Sequence, residues 1–390
     1  MTTVAARAAS GSADRPATRL ATRLSFLVAG FGLACWAPLV PFAKERLGVD
    51  DAMLGVLLLC LGIGSVAAMV ATGLIGTRYG SRPVIVAGGF GLVATLPLLS
   101  LAATPISMGV ALFAFGAALG SLDVAMNIHA VEVERAARRP LMSGFHALFS
   151  VGGFAGAGAM TLFLSAGLGP LAGSLIAAAT MAAAMALAWP RLLRRAGAQE
   201  GPLFVMPHGI VLLLAMLTAV TFLVEGAILD WSALLITGKG LVAAAQGGMG
   251  YMLFAIAMTA GRLAGDGLAA RFGSRTLLVW GGIVALAGFA ALLAAPVEAV
   301  AMAGFVLIGL GASNIVPVLF RQAGAQTVMP PGLAIAAVTT TGYAGVLAGP
   351  AGIGFVAQAI GLEAAFWLLA ALLCLVPLCA ALVAPPTRRN

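Results

Sequence analysis

Two acidic residues, Asp123 and Glu225, lie deep inside apolar stretches of this chain that are long enough to cross a bilayer. A charge at that depth costs at least about 2.5 kcal/mol and persists where it faces a water-filled cavity or a partner. A carboxyl group withdrawn from water favours its neutral form, which suits a group that takes up and releases a proton. We therefore predict that Asp123 and Glu225 carry protons. The alternative is a neutral carboxyl group that hydrogen-bonds one helix to another.

Asp123 belongs to a face of small and polar residues. Gly116, Gly120, Asp123 and Asn127 follow one another at spacings of three or four, which place them on one side of a helix. The chain turns back after this stretch and brings His146 level with Asn127, about one helical turn from Asp123. This placement predicts a histidine–carboxylate proton relay. A packing histidine near a helix end is the alternative for His146.

Glu225 lies on a second polar face, which it shares with Thr218, Thr221 and Ser232 at helical spacing. At about 1.5 Å per residue, Glu225 is about 22 Å from the predicted inner end of its stretch. No basic residue is expected deep inside any apolar stretch, so Glu225 is predicted to have no basic partner.

Several other polar or aromatic residues are candidates for binding a solute. Leu310–Asn314 aligns with Leu119–Asp123, so Asn314 is predicted to be the amide counterpart of Asp123. Asp230, with Trp231, is predicted at the outer rim, as an interface anchor or a gate. The predicted substrate-binding residues are Asn127, Asn314, Trp36, Trp231, Asp230 and Thr221.

Composition shows which elements must position these residues. The chain is 62% hydrophobic and 9% charged, so it cannot hide its apolar surface in a soluble core. Its apolar runs predict an all-α membrane protein of twelve transmembrane helices. The predicted spans are 24–43, 53–75, 83–103, 106–130, 141–165, 170–189, 208–235, 248–269, 276–295, 299–320, 332–357 and 362–383.

The basic residues predict the orientation. If both termini are cytoplasmic, 18 of the 21 basic residues, including Arg262, fall in inner segments, and Lys44, Arg46 and Lys239 fall outside. The formal charge of +8 then reflects topology and anionic inner-leaflet lipid, with no need for nucleic acid. We predict a bacterial-type inner membrane protein. Its predicted parts are a tail (1–23), a six-helix bundle (24–189), a linker (190–207), a second bundle (208–383) and a tail (384–390).

A short motif repeats at half the chain length. Thr77–Arg82 recurs as Ala270–Arg275, an offset of 193 residues, and each copy is a short basic loop between two apolar runs. This pattern predicts two homologous halves. In the second half, Arg262 and Asp266 lie four residues apart on one helical face, so they could pair with each other.

With six plus six helices and a basic loop after the second helix of each half, the chain resembles the major facilitator superfamily. Gly73, Arg78, Gly80 and Arg82 match the superfamily's loop pattern, although Thr77 replaces its acidic residue. The resemblance implies alternating access, with a central cavity lined by helices one, four, seven and ten. It also implies a conformational role for the loop residues and their neighbours, Arg78, Arg82, Arg262, Asp266, Arg271 and Arg275.

A narrower resemblance concerns the substrate. Asp123 and Asn127, an acid followed by Asn four residues later, are similar to the fourth helix of the fucose/hexose type of proton symporter, although Ile128 replaces its Pro. This resemblance favours a sugar or polyol. Because no Lys or Arg is expected deep in a span, a neutral or cationic solute is predicted and simple anions are not.

The predicted function is therefore proton-coupled secondary transport of a small solute by a monomer in the lipid bilayer. A proton-driven exporter of apolar or cationic compounds is the alternative, and direction of transport separates the two. A membrane enzyme or sensor is a minor alternative. The three His and four Cys show no metal-ligand spacing, so no cofactor or metal is expected.

Overall fold

The computed structural model describes residues 15–137, 141–193, 206–329 and 331–384. These residues form twelve long helices and no strand. In the first half, the helices are α1 (Pro16–Leu47), α2 (Asp51–Tyr79), α3 (Ser81–Leu101), α4 (Pro105–Ala137), α5 (Met142–Ser165) and α6 (Pro170–Ala188). In the second half, they are α7 (Ile210–Gly238), α8 (Met249–Phe272), α9 (Ser274–Leu293), α10 (Glu298–Ala325), α11 (Pro331–Ile360) and α12 (Leu362–Val383).

Each predicted span corresponds to one of these helices. Eleven of the twelve described helices are long and apolar enough to cross a membrane, and α8 is the exception. The helix α8 falls short in hydropathy because Arg262 and Asp266 lie inside it. The helix α1 begins at Pro16, earlier than the predicted residue 24, because Pro fits the first turn of a helix, where its missing N–H is not needed. The rest of the predicted N-terminal tail and most of the linker lie outside the described residues.

The repeated loop has the same backbone conformation in both halves. Gly80 precedes α3 with φ 80°, and Gly273 precedes α9 with φ 81°, a region that side chains with a Cβ rarely adopt. Glycine is therefore required at this position of both copies. Two more pairs of positive-φ glycines lie at nearly the same offset, Gly48 with Gly240 and Gly167 with Gly361.

Contacts divide the described residues into two units. In the first, residues 15–48 and 60–193, α1 packs chiefly against α5, and α3 packs against α4 and α6. The helices α2 and α4 approach closely, since a Cβ on Gly116 would overlap the Leu61 carbonyl. The core of this unit includes the fully buried Phe26, Phe115 and Phe145.

The second unit comprises residues 49–59 and 206–384. Within it, α7 packs against α11, and α9 packs against α10 and α12, which repeats the pairing of the first unit. The helices α8 and α10 touch where a Cβ on Gly309 would overlap the Phe254 carbonyl. The start of α2 joins this unit through a close approach between Gly55 and Gly354 of α11.

Candidate functional site

An ion pair joins α7 to α8 in the second unit. One Arg262 Nη donates to both carboxylate oxygens of Glu225, at 3.3 and 3.4 Å. The Arg262 side chain is 36% exposed and that of Glu225 is 22% exposed. The surrounding protein therefore covers the pair only in part.

The positions of the two residues along their helices explain why they meet. Glu225 lies 15 residues after Ile210, the first residue of α7, which is about 22 Å along the axis. Arg262 lies 10 residues before Phe272, the last residue of α8, which is about 15 Å. The arginine side chain spans the remaining difference of about 7 Å because side chains tilt towards the N-terminus of their helix. Both residues thus belong to the middle of the helical layer.

A break in α10 supplies a further partner for Arg262. The helix consists of Glu298–Ala312 and Ile315–Ala325, and Ser313 and Asn314 form the turn between them. Arg262 Nε donates to the Ser313 carbonyl oxygen at 3.4 Å. The guanidinium group is therefore held between a carboxylate on α7 and a backbone carbonyl on α10.

Asn314 binds α10 to α8 at the same break. Its Nδ2 donates to the Gly261 carbonyl at 2.9 Å and to the Ser313 Oγ at 3.0 Å. A Cβ on Gly265 would overlap the Asn314 Oδ1, so this glycine admits the amide. Asn314 is half-buried, and its amide is engaged with the protein in this structure.

The structure overturns two interpretations of this region. The prediction that Glu225 has no basic partner is wrong, because Arg262 lies inside α8 and not in an inner loop. The exclusion of anionic solutes depended on that prediction and no longer holds. The pairing of Arg262 with Asp266 cannot be described, because the Asp266 side chain lies outside the described residues.

The predicted equivalence of Asn314 and Asp123 is also wrong. Gly281 packs against Gly311 as Gly88 packs against Ala118, and both relations have the 193-residue offset. The same offset makes Val316 the counterpart of Asp123.

The two residues of the ion pair can be matched to the first half in the same way. The 193-residue offset makes Met69 the counterpart of Arg262. The helix α5 closely contacts Leu27 and Phe31 of α1, and α11 makes the equivalent contacts with Ala219 and Leu223 of α7. Equivalent residues of α1 and α7 are therefore 192 positions apart. This offset makes Leu33 the counterpart of Glu225. The ion pair is therefore specific to the second half.

The hydroxyl groups on the predicted polar face of Glu225 are turned into the helix packing. Thr218 and Thr221 are fully buried and donate to the carbonyls of Leu214 and Leu217 at 2.8 Å. Their hydroxyl groups are thus satisfied by their own helix. Ser232 is also fully buried, and its Oγ has no hydrogen-bond partner among the described residues.

Asp230 and Trp231 are buried near the end of α7. Asp230 is 8% exposed and Trp231 is fully enclosed, which contradicts the interpretation of this pair as an outer-interface anchor. Tyr251 of α8 lies within electrostatic range of Glu225, Asp230 and Arg262. It was missed in the sequence, although it lies eleven residues, or about three helical turns, from Arg262 on the same face.

In the first unit, Asp123 and Asn127 contact each other as their spacing predicts. Asn127 Nδ2 donates to the Asp123 carbonyl oxygen at 2.9 Å and lies 3.4 Å from Oδ1. Both side chains are half-buried.

His146 is exposed and packs edge-on against Phe26, with ring centroids 5.1 Å apart. Trp36 is buried, and its Nε1 has no partner in the described chain.

His129 is a structural residue on α4. It is fully buried, and its Nε2 accepts a hydrogen bond from the Leu193 N–H at 3.0 Å. Its Nδ1 therefore carries the proton and donates to Thr22 Oγ1 at 3.1 Å, while that hydroxyl donates to the Thr18 carbonyl. This chain of bonds ties the segment after α6 to α1 and α4.

The predicted gating residues lie at the ends of helices, apart from Arg262 and Asp266, which lie inside α8. Arg271 and Arg275 are exposed and Arg82 is half-buried. Arg271 lies over the ring of Phe272, 5.3 Å from its centroid. The Arg78 side chain lies outside the described residues. Among the described residues, no three potential metal ligands come together.

Comparisons with known proteins agree on one family. A family model for the Major Facilitator Superfamily matches residues 24–322. An uncharacterized MFS-type transporter of Yersinia pestis is 50% identical over 356 residues, covering 91% of this chain and 93% of that protein. The membrane protein MosC of Rhizobium meliloti is 31% identical over 354 residues, covering 88% of this chain and 85% of that protein.

Solved structures share the fold. The nucleoside transporter NupG aligns with a TM-score of 0.70 and 16% identity, over 96% of this chain and 100% of that one. A D-xylose-proton symporter aligns with a TM-score of 0.72 and 14% identity, over 96% and 99%. Identities this low speak to the fold alone.

Proposed function

The chain belongs to the Major Facilitator Superfamily and is a multi-pass membrane transporter, not an enzyme; we propose that it couples solute movement to protons through the Glu225–Arg262 pair. The observation that carries this proposal is the partly exposed ion pair in the middle of α7 and α8. Alternating access, expected from the family resemblance, supplies the cycle in which the pair opens and closes.

The proton acts on the pair as follows. A proton that binds a carboxylate oxygen of Glu225 removes its negative charge and weakens the hydrogen bonds from Arg262. Arg262 keeps its contact with the Ser313 carbonyl, so it is freed on one side only. The contacts between α7, α8 and the break in α10 then differ between the protonated and charged forms. A difference of this kind lets proton binding shift the balance between two conformations.

Asp123 is proposed as a second titrating group, in the first half. Its half-buried carboxyl group lies near the amide of Asn127. This contact is stronger when Asp123 is ionised, because an amide N–H forms a stronger hydrogen bond to a charged acceptor. His146 is proposed to relay protons to Asp123.

A small polyhydroxylated solute of the sugar or polyol type is the proposed substrate. The resemblance of Asp123 and Asn127 to a sugar–proton symporter supports it. Asn127 and Asn314 are the proposed ligands on α4 and α10, with Asp230, Trp36 and Trp231 shaping the pocket. Proton-driven export is the alternative, and it predicts solute movement against the direction of the proton.

The test compares two kinds of transport in the same proteoliposomes. Glu225→Gln keeps the size of the side chain and removes the titratable proton. We expect it to lose accumulation driven by a pH gradient while exchange of solute across the membrane without a gradient continues. Labelled sorbitol and gluconate are the probes.

Glu298→Gln is the matched control, since Glu298 is an exposed residue at the first position of α10. It is expected to accumulate solute as the unchanged protein does. Undiminished accumulation by the Glu225→Gln protein would remove Glu225 from the coupling mechanism and leave Asp123 as the proposed titrating group.

A further inference from the structure

From the charges of the Glu225–Arg262 pair, we infer that the substrate is a small organic monoanion, a hydroxylated carboxylate, which Arg262 binds when Glu225 takes up a proton. The inference rests on the proposed function, because it uses the same proton. It assigns the solute a negative charge, whereas the sequence predicted a neutral or cationic solute.

The charge balance of the site favours an anionic solute. In the empty site, the negative Glu225 and the positive Arg262 sum to zero. A proton on Glu225 leaves the Arg262 charge without an ionised partner among the described side chains, at mid-helix depth, which is unfavourable in a membrane protein. A neutral solute does not relieve that charge. A monoanion does, and the loaded site is again neutral.

The geometry of the Arg262 guanidinium group also favours a carboxylate. A guanidinium group presents its N–H donors in a planar fork that matches a carboxylate. One Nη of Arg262 is occupied by Glu225 and the Nε by the Ser313 carbonyl. When Glu225 releases the guanidinium group, the solute carboxylate accepts the hydrogen bonds that Glu225 accepted before. The partial exposure of Arg262, 36% of its side chain, leaves room for that exchange.

The surrounding charges do not offer the anion another cation. Arg262 is the described basic residue in the middle of α7, α8, α9 and α10. Tyr251 is the other titratable group within its electrostatic range, and Tyr251 is also within range of Asp230. On α11 the titratable group is Tyr343, which packs near Phe222. The charged groups of α10 and α12, namely Glu298, Arg321 and Glu363, lie towards helix ends.

The proton and the anion are then expected to move together without net charge. The empty and loaded sites are both neutral, so the membrane potential does no work on the transition between them. Transport is driven by the pH gradient. A neutral solute moved with one proton would instead carry a positive charge and respond to the potential.

Equilibrium binding by the full-length protein in detergent is the direct test. The probes are three monoanions, gluconate, glucuronate and lactate, each with a neutral partner of similar size: sorbitol, glucose and propane-1,2-diol. We expect at least one monoanion to bind more tightly than its neutral partner. Its apparent Kd is expected to rise about tenfold per pH unit once Glu225 is mostly ionised, because one proton is bound with each anion.

Two variants isolate the pair. Glu225→Gln is neutral at all pH values, so it is expected to bind the monoanion with an affinity that does not change with pH. The double variant Glu225→Gln/Arg262→Gln keeps the site neutral and folded and is expected to lose at least about 30-fold in affinity. Arg191→Gln, which removes an exposed arginine outside the site, is the control for loss of one positive charge and is expected to bind as the unchanged protein does.

Proteoliposomes with a lumenal pH dye separate the inference from the proposed function. Lumenal acidification on addition of a monoanion, unchanged when valinomycin sets the potential, supports both. Acidification by sorbitol or glucose but by none of the anions overturns the inference and leaves proton coupling standing. Anion uptake without acidification overturns proton coupling, and with it the proton-dependent binding inferred here, and shows only that the protein carries anions. Failure of all three anions to bind at any pH overturns the inference.

Discussion

Arg46 and Lys239, separated by the 193 residues of the repeat, each bind the backbone carbonyls that end the third helix of their own half. The guanidinium group of Arg46 donates to the Leu99 carbonyl at 2.6 Å and the Ala102 carbonyl at 3.0 Å. Lys239 Nζ donates to the Leu293 carbonyl at 2.9 Å and pairs with Glu363. The last carbonyls of a helix have no partner within it and attract cations. Two of the basic residues predicted to lie outside are thus helix caps.

These caps predict a loss of stability on removal. Arg46→Ala and Lys239→Ala each leave helix-end carbonyls unsatisfied, at a cost of about 1.5–3 kcal/mol for hydrogen bonds to a charged group. The midpoint of thermal unfolding in detergent is expected to fall in both variants. Arg46→Lys and Lys239→Arg keep the charge and are expected to lie between the alanine variants and the unchanged protein. Unaltered midpoints in both alanine variants would show that the caps contribute nothing.

A second prediction concerns the contact between α8 and α10. A Cβ on Gly309 would overlap the Phe254 carbonyl, so Gly309→Ala must push the helices apart, at a cost of about 1–3 kcal/mol. Gly226 is the matched control, since its Cβ would have 3.9 Å to its nearest neighbour, Val346. Gly226→Ala is expected to be neutral or slightly stabilising, as Ala favours helices. Thermal unfolding of the two variants side by side provides the measurement, and equal midpoints would contradict the close contact.

The helices could be predicted from the sequence because bilayer depth fixes their length and apolar character. All twelve are present, and the membrane-protein fold class is confirmed. The helix α8 shows where hydropathy fails. Arg262 and Asp266 lower the apolar character of that stretch in the same way whether they lie in a loop or face a polar site inside a bundle. Hydropathy alone therefore could not place Arg262.

The pairing of the candidate site could not be predicted either. Glu225 and Arg262 lie on different helices, and neither spacing nor periodicity relates residues on separate helices. The local contact between Asp123 and Asn127 could be predicted, because residues four apart on one helix lie side by side. The mistaken match of Asn314 with Asp123 arose because Leu119-Gly120 and Leu310-Gly311 match at an offset of 191, whereas the glycine contacts of the helices follow an offset of 193.

The third prediction concerns the basic loops. Arg271 is exposed at the end of α8 and contacts Phe272, not the Glu225 site. Arg271→Ala is expected to slow interconversion between the two access states while solute affinity stays within a few-fold. Exchange of labelled solute at equilibrium, measured beside its binding, separates rate from affinity. Arg191→Ala is the control for an exposed arginine outside the repeat, and loss of binding by a folded Arg271→Ala protein would place Arg271 in the solute site.

The fourth prediction uses the pH dependence of stability to test the ion pair. Arg262→Gln leaves Glu225 without its partner, so the protein is expected to lose about 1–3 kcal/mol at pH 8, less than for a fully buried pair. Lowering the pH puts a proton on Glu225 and removes the unpaired charge, so stability is expected to recover. Glu225→Gln leaves Arg262 charged at every pH, so its own stability is expected not to change with this proton, and its loss relative to the unchanged protein is expected to shrink as Glu225 of that protein becomes protonated.

The double variant Glu225→Gln/Arg262→Gln completes the thermodynamic cycle. It contains neither charge, and replacing both partners of such a pair is close to neutral, so its unfolding midpoint is expected near that of the unchanged protein. The coupling between the two side chains, obtained from the four proteins, should be stabilising at pH 8 and shrink towards zero once the pH is low enough to put a proton on Glu225 of the unchanged protein. Additive losses at pH 8 would show that the side chains do not interact, and the proton-controlled pair would then be excluded as the coupling element.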